Sequence, residues 1–289
     1  MRYRFLRFPG GKDKAVTFSY DDGFRHDIRL AQTLDRYGMK GTFNLNSRVL
    51  EGNLDGRHLT KEEAEAYLLA SGHEIAIHGA DHRAPGCLRP VDGIQKVLNC
   101  RLSLEKMFGR IIRGMAYPDS GIKHLENGIS VETIRGYLAN LDIAYARTAG
   151  QDNNRFELPT DWLQWMPTAH HTNPLAISYA DEFGRLDQKN AYIDSRSPKL
   201  FYLWGHSFEF ARDNNWELLE EICGKLAGKS DIWYATNMEI FDYVSAYSLL
   251  SFSADGTMVY NPTRIRIWFD VDRKLYCVDG GQTIRLESR

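Results

Sequence analysis

Two neighbouring carboxylates, Asp21 and Asp22, end an apolar run that begins at Val16, and Gly23 follows them. Adjacent carboxylates repel unless a cation or a proton lies between them, so the pair points to metal or acid–base chemistry. An Asp-Gly turn accounts equally for this octapeptide taken alone. A second stretch, His73 to His82, delivers His78 and His82 four residues apart at the end of another short apolar run. One helical turn would bring both imidazoles to one face, a common way to build two legs of a zinc site. Two surface histidines at chance spacing are the alternative. Asp22, His78 and His82 together make a one-carboxylate, two-histidine set that leaves coordination positions open for water and substrate. Asp21, beside such a cation but not bound to it, has the place a general base needs.

The elements that must hold these groups alternate. Val16 to Tyr20 has the β-branched and aromatic character of a buried strand. Asp27 to Tyr37 carries an apolar helical face and stops at Gly38. Gly41 to Asn46 reads as a strand, and Thr60 with Glu63 forms a capping-box signature for a helix that Ser71-Gly72 closes. Strand Glu74–Ile77, helix Val91–Phe108, strand Ile111–Tyr117 and strand Ile143–Ala146 follow. After them come strand Lys199–Gly205, ending at His206, helix Trp216–Leu226, strand Ile232–Ala235 and helix Glu239–Leu250. This rhythm predicts parallel β/α units, with chemistry at the C-terminal strand ends. It does not separate a closed barrel from an open doubly wound sheet.

These motifs resemble the polysaccharide deacetylases, the NodB-homology group of carbohydrate esterase family four. Phe18-Ser19-Tyr20-Asp21-Asp22-Gly23 is similar to the family's first motif, His78 and His82 to its His-x-x-x-His, and Leu203-Trp204-Gly205-His206 to its Leu-x-x-His. The resemblance spans roughly residues 14–245 and implies a distorted (β/α) barrel of about seven parallel strands. It also implies a metal-dependent hydrolase that removes acetyl groups from N- or O-acetylated carbohydrate. Zinc is the expected metal, with cobalt, nickel or manganese as alternatives. Asp21 would be the base and His206 the acid, and Leu203 would line the pocket for the acetyl methyl. Hydrolysis of a non-sugar linear or cyclic amide, or silent carbohydrate binding, are the competing functions.

Two family motifs are altered. Where Arg-x-Pro-Tyr is expected, the chain has Ala116-Tyr117-Pro118-Asp119. The backbone N–H of Asp119 still suits an oxyanion, since only a main-chain amide is needed. The arginine that pairs with the catalytic aspartate is missing, and Arg147, at the end of the next strand, is the expected substitute. The fourth motif, Asp-x-x-Asp-Trp, is absent from its place. Asp161-Trp162 is the nearest match, so Asp161 is assigned the role of orienting His206. From Phe156 to Ser197 the chain is long and irregular, crowded with aromatics and with the pair His170-His171. Trp162, with Tyr117, is expected to meet substrate, against the alternative that the tryptophans anchor the insertion. His170 and His171 are either a chance pair or a further contact to metal or substrate.

The 289 residues carry a formal charge of -2, which argues against a dedicated nucleic-acid surface. No stretch is long and apolar enough for a membrane span. Met1 to Lys14 is charged throughout and lacks a signal-peptide core, and the four cysteines are scattered, so a cytoplasmic protein with free thiols is expected. From Ser251 the pattern changes to short extended runs between Asp-Gly and Gly-Gly turns. The division is therefore a barrel over 1–250 and an antiparallel β-appendage over 251–289. The oligomeric state is open.

Overall fold

The computed structural model describes residues 3–52, 56–187 and 196–287, so residues 188–195 of the irregular stretch lie outside the described residues. Its first nine strands are β1 (Arg4–Arg7), β2 (Lys14–Asp21), β3 (Gly41–Leu45), β4 (Glu74–Ile77), β5 (Gly114–Ala116), β6 (Tyr145–Arg147), β7 (Ala169–His170), β8 (Lys199–Gly205) and β9 (Ile232–Tyr234). Parallel pairing runs in the order β6-β5-β4-β3-β2-β8-β7, and β9 pairs with the start of β2. The sheet curls until its edges meet across Trp165–Thr168. There Trp165 donates its N–H to the Ala146 carbonyl at 3.0 Å, and Thr168 donates to the Tyr202 carbonyl at 2.9 Å. The seven-stranded parallel barrel expected from the sequence is what forms.

Strand β2 explains how the layers sort, because side chains alternate between faces of a strand. Val16, Phe18 and Tyr20 point outward and pack with Leu30 and Leu34 of helix His26–Arg36 and with Leu219 and Ile222 of helix Trp216–Leu226. Each such fully buried side chain contributes about 1.5–3 kcal/mol. Thr17, Ser19 and Asp21 point inward, where polar partners await them. Thr17 donates to Asn237 at 2.8 Å, and Asn44 donates to Ser19 at 2.8 Å and to Asp21 at 2.9 Å. Lower in the barrel Glu74 accepts from Tyr145 at 2.6 Å, Thr42 at 2.8 Å and the Met238 N–H at 2.9 Å. The Thr60–Glu63 capping box is present in full. No described helix is long and apolar enough to cross a membrane, and the four cysteines are unpaired.

The tail forms β10 (Ser251–Phe252), β11 (Met258–Tyr260), β12 (Ile267–Val271), β13 (Lys274–Val278) and β14 (Thr283–Arg285). They make two antiparallel sheets, β10-β11-β14 and β1-β12-β13. Strand β1, from the other end of the chain, thus pairs with the tail, Arg4 opposite Val271 through Arg7 opposite Trp268. Arg7 and Arg196 both pair with the buried Asp270, which ties the two chain ends and the barrel together.

Candidate active site

The chemistry-bearing residues gather at the C-terminal edge of the parallel strands, as the fold dictates. Asp21 is the last residue of β2 and is buried. Asp22 then turns the chain with φ 77°, a conformation uncommon for a residue with a side chain. It is secured there by its N–H, which donates to the Asn44 carbonyl at 3.0 Å. His82 and Asp119 also have positive φ, 53° and 54°. Backbone held in such sparsely populated regions concentrates at functional sites.

His78 follows β4 and is buried. Its Nδ1 lies 3.0 Å from the Ala116 carbonyl, an acceptor only, so Nδ1 carries the proton and Nε2 keeps its lone pair. That Nε2 is buried and has no hydrogen-bond partner. It lies 3.6 Å from Asp22 Oδ1, which is 3.4 Å from His82 Nε2. The donor atoms of Asp22, His78 and His82 all fall within 4.8 Å of one another. An orphaned imidazole nitrogen, a second imidazole and a carboxylate converging on one point fit a divalent cation. Burial disfavours the His78 imidazolium more than Asp21 and Asp22 favour it, so the ring lies below its ordinary value and stays neutral, as a ligand must.

Asp21 is gripped from both sides. Arg147, fully buried at the end of β6, hydrogen-bonds Oδ2, and Asn44 donates to Oδ1 at 2.9 Å. Burial pushes the carboxyl up, but Arg147, His78 and His206 together outweigh it and hold it below the usual carboxylate range. Asp21 Oδ2 lies 3.8 Å from His78 Nε2. Arg147 therefore reaches Asp21 from the neighbouring strand, in the geometry the sequence reading assigned to it. Its guanidinium lies 4.2 Å from the centre of the Trp204 ring.

His206 directly follows β8, and its Nε2 lies 3.9 Å from Asp22 Oδ2. Its Nδ1 faces Glu209 Oε2 at 3.4 Å, and the same oxygen accepts the His206 backbone N–H at 3.2 Å. His170 Nε2 and His171 Nε2 approach that oxygen at 3.3 and 3.4 Å. His171 fits only because residue 205 is glycine: a Cβ there would lie 1.9 Å from His171 Nδ1.

Four expected placements are not met. Asp161 does not meet His206; it caps the short turn at Trp162–Gln164, accepting the Leu163 N–H at 3.0 Å, and pairs with Arg135 at 3.0 Å. The insertion starts its own 3₁₀ turn at Asp161, and that turn consumes the carboxylate. Tyr117 is buried, and its hydroxyl donates to the Leu163 carbonyl at 2.7 Å, so it braces the insertion and does not face substrate. Trp162 packs edge-on against Trp165 and Phe241 and anchors the insertion to the core. Leu203 points outward into the helix-covered cluster, because its parity on β8 is that of Phe201. Trp204 takes the inward place and donates Nε1–H to Asp152 at 2.7 Å. Asp119 is exposed on the loop after β5, and the adjoining Pro118 sits against Gly79 of the histidine loop. Asn44, Glu209 and Trp204 were given no role from the sequence. Asn44 alone had a signal, as a polar side chain in an otherwise buried strand.

Residues 9–130 match the family model described as polysaccharide deacetylase, a segment shorter than half of the chain, and the fold described above is similar to that of solved carbohydrate deacetylases. The matched segment contains Asp21, Asp22, His78, His82 and Asp119 and ends before Arg147 and His206. The chain is similar in fold to a candidate polysaccharide deacetylase from Mycobacterium smegmatis, at TM-score 0.55 and 19% identity over 84% of this chain and 94% of that one. It is similar to the chitin deacetylase of the fungal pathogen Colletotrichum lindemuthianum, at 0.51 and 15% over 81% and 89%. PuuE allantoinase shares the fold at 0.55 and 13% over 81% and 91%. A search of curated proteins finds no match.

Proposed function

We propose that the protein is a metal-dependent hydrolase that removes acetyl groups from acetylated carbohydrate. The observation that carries the reading is a carboxylate kept ionised between Arg147 and Asn44, 3.8 Å from the orphaned nitrogen of His78. That supports a base and an incomplete ligand set acting on the same water.

Asp22, His78 and His82 would hold the cation, with zinc the ion best matched to two imidazoles and one carboxylate. When bound, such an ion polarises an acyl oxygen and acidifies water. The chain's own residues do the rest. Asp21 accepts the proton of the attacking water, and Arg147 and Asn44 keep its oxygens fixed and its charge available. The Asp119 N–H is assigned to the developing oxyanion. As the bond from the acyl carbon to the sugar oxygen or nitrogen breaks, His206 gives the proton on Nε2 to the departing atom, and acetate remains. Burial disfavours the His206 imidazolium, but the Glu209 hydrogen bond and the Asp21 and Asp22 charges outweigh it, so the ring lies above its ordinary value and is equipped to act as an acid.

The test is acetate release from chitooligosaccharides and acetylated xylan by metal-stripped protein, with and without added zinc, beside an Asp22→Ala control. Zinc-dependent acetate that disappears in the control is expected. No acetate from any acetylated sugar by the zinc-loaded protein overturns the reading in favour of a non-sugar amide.

A further inference from the structure

We propose that Glu209 is the positioning residue for His206, fixing the imidazole so that Nε2 alone delivers a proton toward Asp22 and the bound substrate. The inference rests on the acid role given to His206 above. The resemblance gives this orienting task to an aspartate, which the chain lacks at the expected place, and Asp161 is occupied by Arg135.

The argument runs through hydrogen positions. Thr172 donates its backbone N–H to His170 Nδ1 at 3.2 Å, so that nitrogen is an acceptor and the ring proton sits on Nε2. His170 Nε2–H then points at Glu209 Oε2, 3.3 Å away. The His206 backbone N–H donates to the same oxygen at 3.2 Å, and His206 Nδ1 lies 3.4 Å from it. A carboxylate surrounded by donors is an acceptor only, which places a proton on Nδ1 and leaves Nε2 as the working nitrogen. Arg212 stands 3.8 Å from the other oxygen, Oε1. Glu209 is thus held from the barrel by His170 and from its own helix by the cap, and His206 can rotate only by giving up its acceptor. The donor atoms of His170, His206 and Glu209 also lie within 4.8 Å of one another, close enough for a second cation. The proton on His170 Nε2 argues against that use, since the Thr172 N–H would lose its acceptor if the tautomer changed.

The experiment compares zinc-loaded wild type, Glu209→Gln and Glu209→Ala on an acetylated sugar and on p-nitrophenyl acetate, whose leaving group needs no protonation. On the sugar, kcat is expected to fall about 10²-fold or more, the range for loss of a positioned general acid, with KM within about threefold. The loss on p-nitrophenyl acetate is expected to be at least about tenfold smaller, a distinction that general destabilisation would not make. Equal losses on both substrates, or none, overturn the proposal. So does a metal count of two ions per chain that drops to one in Glu209→Gln, which would make Glu209 a ligand. If the wild type releases no acetate at all, the functional reading fails, and the positioning is read directly from nitrogen-15 spectra of His206. A neutral ring protonated on Nδ1 in the wild type, shifting toward Nε2–H in Glu209→Ala, is the expected result. A wild-type ring protonated on Nε2 overturns the proposal.

Discussion

Replacing Arg147 by alanine removes the charge that lets Asp21 stay ionised inside the barrel. Both side chains are essentially inaccessible, at 0% and 2% exposure, so solvent does little to screen the pair. Breaking a buried pair by deleting one partner costs about 3–5 kcal/mol, because the other charge is left uncompensated. At about 2–4 °C per kcal/mol for a chain of this size, Tm should fall by about 6–20 °C. The pH dependence should reverse as well. In the wild type the Asp21 carboxyl lies below its ordinary value. It therefore adds stability above the unfolded value of about 3.9, and this is lost as pH falls through the folded one. Without Arg147, burial dominates and the carboxyl rises, so its protonated form stabilises the fold and stability is lost as pH rises through the new value. Activity should follow: the acidic limb of kcat/KM against pH moves upward, and kcat drops about 10²–10⁴-fold at neutral pH, the usual worth of a general base. Calorimetry from pH 4 to 9 and the rate profile measure both effects. Arg147→Lys guards against a variant that fails to fold; it keeps the charge but not the planar fork over Trp204, and its acidic limb should move less. An unchanged acidic limb and unchanged Tm in Arg147→Ala would refute the pairing argument.

Three further changes test other parts of the structure. Burial pushes Glu74 up to about 7, against the hydrogen bonds from Tyr145, Met238 and Thr42. Its stabilising proton is present below the ordinary value and lost as pH rises through about 7, so Glu74→Gln should flatten that decline and gain on the order of 2 kcal/mol at pH 9, read from urea midpoints. Gly205→Ala would set a methyl 1.9 Å from His171 Nδ1 and should cost about 1–3 kcal/mol in thermal unfolding; an unaltered Tm would show that His171 has room to move. Asp161→Asn should leave kcat within about twofold and cost about 0–1 kcal/mol, since its Arg135 partner is half exposed; a kcat loss of tenfold would restore Asp161 to the catalytic centre.

What the sequence conveyed and what it hid follow from the range of the interactions involved. Strand β8 and helix Trp216–Leu226 were legible to the residue, because a continuous apolar run and an amphipathic period are local signals. Strand β1 was not, because four residues, two of them arginine, form a strand only where β12, more than 250 positions away, offers an edge. Asp21, Asp22, His78 and His82 were legible as types at strand ends. The partners that give them their charge states were less so, because partnership depends on which side chains face inward. Arg147 could be inferred since a buried aspartate needs a cation and one stood at the next strand end. Leu203 and Trp204 were exchanged for the opposite reason: neighbouring residues on a strand face opposite sides, and composition does not say which parity looks inward. Asp161 was mistaken because it has the right type beside the right tryptophan, and Glu209 was overlooked because a glutamate three residues into a helix reads as a cap. It is a cap, accepting the His206 N–H. The same oxygen faces the His206 ring, so a local rule of helix starts conceals the contact on which proton delivery would depend.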